Sequence, residues 1–269
     1  FVEDPLRVLR IARFKARFHQ QGFDIHEATY ALLQQISESG ELAHLTPERC
    51  WKETEKALLS PAPADFFRAL QNARPLGPLL PELEGLFGVP QTAKYHPEID
   101  SGVHTLMALE QAARLSPKLS VRFATLCHDL GKATTPARVL PSHHGHEARG
   151  VPLIETLCQR LKIPRQLKEA AQIVAEYHLH CHKACELRAD ALLGVFEAMD
   201  AFRRPERMEI FARSCEADSK GRTGLENEPY PQAEFCRQAL AHCSAVSAQS
   251  MIAQGHTGKQ ISRALRAAR

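Results

Sequence analysis

Apolar residues recur at helical spacing along most of the chain, and no stretch shows the alternation of a strand, so the pattern predicts an all-α fold. In the segment ending TLCHDLGK, Phe123, Leu126, Cys127 and Leu130 fall at i, i+3, i+4 and i+7, which predicts a buried helix running into His128 and Asp129, with Gly131 placed to terminate it. In SGVHTLMAL, His104 heads a second apolar run with Met107 and Ala108. Met208, Phe211 and Cys215 form a stripe that reaches Asp218 ten positions on, still on the same face. Ile173 with Tyr177, and Val174 with His178, mark another helix, on which His178 and His182 share a face. In HLTPERCWKETEKALL, Thr46 reads as an N-cap and Pro47 as the first helical residue. Seven prolines between residues 61 and 100 predict short helices broken by turns. The expected organisation is a helical neck and body over 1–100, a second helical domain over 101–202, and a helical tail over 203–269 that closes its core.

Chemistry enters where polar residues stand on these buried faces. An imidazole beside a carboxylate at 128–129 suits a divalent cation. A carboxylate on a core-facing stripe, as at Asp218, is costly unless it is paired or coordinated. His96, Glu98 and Asp100 in YHPEID read foremost as turn and capping residues, with support of a metal ligand as the other reading. HLHCHKAC invites a zinc reading through Cys181 and Cys185, but no second Cys/His pair stands at finger spacing. In the first twenty residues Asp4 and Pro5 open a helix on which Arg7, Arg10, Arg13 and Arg17 occupy a face about 120° wide. Ile11, Phe14 and Phe18 supply its apolar face. No acidic residue follows any of these arginines at i+4, which favours contact with phosphate or nucleobase over a self-neutralised surface.

Two resemblances give these residues roles. His104, then His128–Asp129, then Asp218 resembles the H…HD…D signature of the HD phosphohydrolase superfamily. EDPLRVLRIARF resembles the motif that opens the neck helix of bacterial CCA-adding tRNA nucleotidyltransferases. The first implies that His104, His128, Asp129 and Asp218 bind a divalent metal (Mg²⁺, Ni²⁺, Mn²⁺ or Co²⁺) that activates water. His146 with Gly150 is similar to a GHxxxG element of that branch, which makes His146 a phosphate donor or an auxiliary metal ligand, and Lys132 and His146 are expected to neutralise the phosphate oxygens. The second implies that Asp4 and Arg7 read incoming CTP or ATP, with Arg10 and Arg13 as further nucleotide contacts. Asp accepting from an amino group while Arg donates to ring acceptors imitates a pairing edge.

The resemblance further implies a tRNA partner, 2′,3′-cyclic phosphodiesterase, 2′-nucleotidase and phosphatase activity at the HD site, and a nucleotidyltransferase head with a DxD pair of carboxylates. No DxD occurs in these 269 residues, so that head is expected upstream of Phe1. The similar basic tail, with Lys259, Arg263, Arg266 and Arg269, reads either as a tRNA-backbone contact or as a solvated terminal helix. The competing reading is a non-catalytic tRNA- and nucleotide-binding fragment with a vestigial HD site.

Bulk properties narrow this only slightly. A hydrophobic share of 44% and charged share of 24% are ordinary for a globular chain. A net charge of +3 permits an anionic partner without requiring one. No apolar run reaches a membrane span, and eight cysteines without a CxxC pair read as reduced thiols, so the expectation is a cytoplasmic protein without a membrane partner.

Overall fold

The computed structural model describes residues 4–269, and among them every regular element is helical. The sole extended pairing among the described residues is an isolated bridge between Pro90 and Asp100, which brings the two ends of one loop together just before the helix that carries His104.

The neck begins with α1 (Arg7–Arg17), whose start is fixed by Asp4 accepting a bond from the Leu6 amide at 3.1 Å. Helices α2 (Glu27–Glu38), α3 (Pro47–Leu58) and α4 (Pro63–Asn72) follow. Thr46 stands at the N-cap of α3 without a side-chain bond, and Pro47 takes the first helical position. The proline-rich stretch then makes two single-turn helices, α5 (Leu76–Leu79) and α6 (Pro81–Glu84).

The second half packs four helices around one another: α7 (Ser101–Leu115), α8 (Leu119–Cys127), α10 (Arg165–His182) and α12 (Glu206–Lys220). Between them run α9 (His146–Leu161) and α11 (Ala189–Ala198), and α13 (Pro231–Ala245), α14 (Ala248–Ala253) and α15 (Lys259–Ala268) complete the chain. Asp100 caps α7 by accepting from the Val103 amide at 2.9 Å, and its second oxygen accepts from the Gly88 amide.

A continuous hydrophobic core runs from Leu6 in the neck to Leu240 in the tail. Trp51 of α3 packs edge-on against Phe123 of α8, with ring centroids 5.6 Å apart. Arg122 clamps the same seam: its buried guanidinium donates to the carbonyls of Leu58, Ser60, Ser116 and Ala113. One arginine thereby satisfies four carbonyls that helix ends and turns would otherwise leave bare.

Gly131 has a different use from the helix stop expected of it. Helix α8 ends at Cys127, and Gly131 sits inside the 3₁₀ turn Leu130–Thr134. A Cβ there would lie 1.9 Å from the His146 carbonyl oxygen, so glycine lets this turn press onto the start of α9. Gly221 does the same at the end of α12, where a Cβ would fall 2.5 Å from the Ala108 Cα of α7. These two close approaches join the turn after α8 to the start of α9, and the end of α12 to the middle of α7.

Candidate metal centre

The chemistry gathers where α7, α8 and α12 meet. His104 sits near the start of α7, His128 caps the end of α8, Asp129 follows it, and Asp218 lies on the last turn of α12. All four are buried, with relative exposures of 0%, 1%, 1% and 5%. His104 Nε2 is 3.0 Å from Asp218 Oδ1, and His128 Nε2 is 3.5 Å from the same oxygen. His128 Nε2 is also 3.1 Å from Asp129 Oδ2. The four residues that the H…HD…D pattern singled out therefore converge.

Two further imidazoles stand on the other side of Asp129. His146, at the start of α9, places Nε2 3.3 Å from Asp129 Oδ1, and His178 of α10 places its Nε2 3.8 Å from the same oxygen. Among the described residues donor atoms fall into three compact groups; two of them, His104–His128–Asp218 and Asp129–His146–His178, are fully buried at this point, and the third, His96–Glu98–His104, stands behind His104. His178 is the residue that local spacing undervalued. Its helical face was legible, but nothing local to α10 shows that α9 and the HD turn lie opposite.

Three of these histidines are aimed by a hydrogen bond at the other nitrogen, and His104 by an ion-pair contact. His128 Nδ1 meets the Thr125 carbonyl at 2.7 Å, and His146 Nδ1 meets the His143 carbonyl at 2.9 Å. His178 Nδ1 meets the Ala175 carbonyl at 3.0 Å. His104 Nδ1 faces Glu98 Oε1 at 3.0 Å, an oxygen that His96 Nδ1 also approaches at 3.0 Å. A ring nitrogen committed to an acceptor fixes the tautomer and turns the opposite nitrogen toward the shared space. Glu98 thus supports His104, and of the YHPEID acids only Asp100 is a cap.

Charge follows geometry. Burial by itself would raise Asp129, but the adjoining His128 and Lys132 hold it well below the usual carboxylate range. Asp218 is likewise depressed against the effect of burial, by His128, His182 and His104. His128 responds in the opposite sense: burial would lower it, and the two carboxylates push it up to about 10. His178 is held near 3, because burial and the neighbouring His128 and His146 outweigh the attraction of the carboxylates. Glu98 also stays well below its ordinary value, since bonds from His104 and His96 overcome its burial.

Even so, the cluster does not satisfy itself. His104 Nδ1, His128 Nε2 and both carboxylate oxygens of Asp129 are buried without an aligned hydrogen-bond partner. Lys132 Nζ lies 2.6 Å from Asp129 Oδ2 as an ion pair, but the contact lacks hydrogen-bond alignment, and the ammonium donates instead to Gln91 Oε1 at 2.5 Å. Dry, unpartnered donor atoms of opposite sign are expensive for a protein to keep, and a cation accepting all of them removes that cost.

The centre opens onto a cleft of about 800 Å³, lined among others by Asp129, His146, His178, Asp218, Tyr95 and Tyr230. Tyr230 donates or accepts at His182 Nδ1 at 2.8 Å, and His182 Nε2 meets Asp218 Oδ2 at 2.7 Å, so the cleft wall is bonded to the centre. The zinc reading of HLHCHKAC has no geometric support: Cys181 is buried with its sulfur 4.0 Å from Cys236, while Cys185 is exposed.

The arginine stripe lies elsewhere, on the neck, and is partly neutralised through tertiary contacts. Arg13 Nε bonds Glu53 Oε2 of α3 at 2.6 Å, and Asp4 receives Arg49 at 3.1 Å and Arg10 at 3.8 Å. Arg7 also has a partner. The absence of an acid at i+4 therefore says nothing about Arg13, whose partner is forty residues away.

Comparison with known proteins gives two separate matches. A profile described as "Probable RNA and SrmB- binding site of polymerase A" matches residues 22–86, and the HD domain profile matches residues 102–215. The multifunctional CCA protein of Thioalkalivibrio sulfidiphilus (strain HL-EbGR7) is 54% identical over all 269 residues of the chain, which span 66% of that relative. The chain belongs to the multifunctional CCA protein family. Its counterpart in Hahella chejuensis (strain KCTC 2396) is 51% identical over 261 residues, covering 97% of this chain and 62% of the relative. That in Teredinibacter turnerae (strain ATCC 39867 / T7901) is 51% identical over 269 residues and 66% of its own length. The chain thus spans 62–66% of the length of these multifunctional CCA proteins. HD domains bind divalent metals, and both donor groups fall on this family's HD match except for Asp218, three residues past its end. No helix among the described residues is long and apolar enough to cross a membrane.

Proposed function

We propose that this chain carries a divalent-metal-dependent phosphohydrolase centre within a protein that builds and repairs the 3′-terminal CCA of tRNA. The observation that carries the reading is the pair of buried donor groups, His104–His128–Asp218 and Asp129–His146–His178, with unpartnered atoms at the floor of a wide cleft. His104, His128, Asp129 and Asp218 would hold one ion, and Asp129 stands where its other oxygen, with His146 and His178, serves a second. Mg²⁺, Mn²⁺, Co²⁺ and Ni²⁺ all suit an imidazole–carboxylate set. A bound ion supplies Lewis acidity toward a phosphoryl oxygen and makes nearby water acidic enough to attack at neutral pH.

The protein's own contribution is orientation and dryness. Glu98 holds the His104 ring, the Thr125 carbonyl holds His128, and His182 holds Asp218. Lys132 balances the charge of Asp129 from behind. The favoured substrates are 2′,3′-cyclic phosphodiesters and 2′-phosphomonoesters of nucleotides or of an RNA 3′ end. On the neck, Asp4 with Arg7 and Arg10 is the proposed edge for reading CTP and ATP, and Arg13 anchors it to α3 through Glu53. The RNA-binding match over 22–86 and the basic helix α15 supply the surface for tRNA.

The test is hydrolysis of 2′,3′-cyclic AMP by the purified chain with Mn²⁺ or Ni²⁺. Turnover in wild type that is lost in Asp129→Ala is expected. Equal rates in the two proteins with every divalent metal tried would sink the enzymatic reading and leave an RNA-binding body.

A further inference from the structure

Resting on the hydrolase reading above, we propose that Arg222, assisted by Lys183, is the group that takes hold of the substrate's phosphate, and that Lys132 is not. Three cationic side chains line the cleft: Lys132, Lys183 and Arg222. Lys132 is buried and already committed on both sides, to Asp129 Oδ2 at 2.6 Å and Gln91 Oε1 at 2.5 Å. An ammonium spent in this way neutralises a carboxylate and has no hydration shell left to exchange for phosphate.

Arg222 is differently placed. It lies one turn beyond Asp218, half-buried, and no carboxylate among the described residues pairs with it. Its Nε donates to the Ser219 carbonyl at 3.0 Å and its Nη2 to the Ser219 hydroxyl at 2.8 Å. Those two bonds fix the plane of the guanidinium and leave Nη1 unclaimed. The turn that carries it is itself clamped. Gly221 presses on the backbone of α7 at Ala108, and the Thr223 amide donates to Glu98 Oε2 at 3.3 Å. Glu98 is also the carboxylate that holds His104, so the turn bearing Arg222 and the turn bearing the metal-facing imidazole share one brace.

A planar donor fixed by its own turn loses little conformational entropy when it binds an anion, and a guanidinium suits a phosphate better than a point charge does. Lys183 directly follows His182 at the end of α10, is exposed, and has no ion-pair partner among the described residues. Of the acids on the cleft wall outside the centre, Glu147 turns toward His146, at 3.4 Å, and Glu228 stands exposed on the rim. Two unspent cations therefore remain where a phosphate ester enters.

The experiment measures steady-state kinetics with Mn²⁺ on 2′,3′-cyclic AMP and on a short oligonucleotide ending in a 2′,3′-cyclic phosphate. Calorimetric binding of inorganic phosphate to the Mn²⁺-loaded protein accompanies it and needs no turnover. Arg222→Ala should raise KM about tenfold or more on both substrates while kcat falls far less, since it removes one charge-assisted bond. Arg222→Lys should recover part of the loss, and Lys183→Ala should add a smaller one. Phosphate affinity should weaken in parallel, with Mn²⁺ affinity and melting temperature unchanged. A penalty confined to the oligonucleotide would overturn the assignment in favour of contact with the polynucleotide backbone. Unchanged KM and phosphate affinity in the double variant would overturn it outright. If wild type binds phosphate through Arg222 but hydrolyses nothing, the hydrolase reading falls and the phosphate site stands.

Discussion

The neck and the metal centre both concentrate charge on helical faces, yet they resolve it in opposite ways. On the neck, Arg13 meets Glu53 with both side chains mostly shielded, and Lys56 adds a second cation to the same carboxylate. Asp4 is shared between Arg10 and Arg49. Every charge in that set has found its counterion in the protein. In the centre, two carboxylates and five imidazoles converge, and atoms of His128 and Asp129 stay buried and unbonded at the floor of the cleft. The difference teaches how to tell a structural ion pair from a ligand site. A finished network is a brace, whereas an unfinished one in a dry core calls for something to complete it.

The largest effects should come from removing the atoms that remain unpartnered. His128→Ala or Asp129→Ala should abolish stoichiometric binding of Mn²⁺, read by equilibrium dialysis, while far-ultraviolet circular dichroism keeps its helical form. Retained binding in both variants would mean that the cluster is only a charged core.

Removing one partner of the finished network should instead cost stability and leave metal binding alone. Arg13→Ala strands Glu53 in a shielded place, with only Lys56 to face it. The expected loss is about 2 kcal/mol in urea denaturation, toward the low side for a broken buried pair. Glu53 is held below its usual value, burial notwithstanding, by Arg13 and Lys56. The stability it contributes is therefore present above its ordinary pKa of 4.5 and disappears as pH falls through the depressed folded value. A destabilisation of Arg13→Ala that is as large at pH 3 as at pH 7 would contradict this brace.

Glu98 tests the boundary between the two kinds of region, because it is bonded to His96 on one side and faces His104 of the unfinished site on the other. Glu98→Ala should weaken Mn²⁺ binding about 10–100-fold by freeing His104, and Glu98→Gln should weaken it less. An unchanged affinity would show that His104 is aimed by packing alone.

Proton release gives the gentlest test. In the metal-free protein the folded pKa of His128 is raised from 6.5 to about 10, so the stability it contributes is complete below 6.5 and lost as pH rises through 10. The depressed carboxylates Asp129 and Asp218 contribute stability above 3.8 that is lost as pH falls through their folded values. A metal must displace the proton from His128, so Mn²⁺ affinity should climb by up to about tenfold per pH unit between 6.5 and 10. Calorimetry in buffers of different ionisation heat reads the released proton directly. A flat pH profile would mean that His128 is not a ligand.

How much of this was legible in the chain depends on where each cause resides. The helical period of Phe123, Leu126 and Cys127 placed His128 at the end of a buried helix, and the stripe from Met208 carried Asp218 inward. Those are local facts, and local spacing suffices for them. Glu53 beside Arg13, Glu98 behind His104, and His178 opposite Asp129 depend on which helix packs against which, and periodicity shows only that a face is buried. Gly131 illustrates the same limit. Its place after Leu130 suggested a helix stop, and its need for a missing side chain comes from the His146 carbonyl of another helix.

The most direct test of the central claim is anomalous X-ray scattering from crystals of the chain grown with Mn²⁺. A peak is expected between His104, His128, Asp129 and Asp218, within about 2.0–2.3 Å of their nitrogen and oxygen atoms, and it should be lost in Asp129→Ala crystals. A well-ordered, Mn²⁺-saturated crystal with no peak among these four residues would contradict that claim.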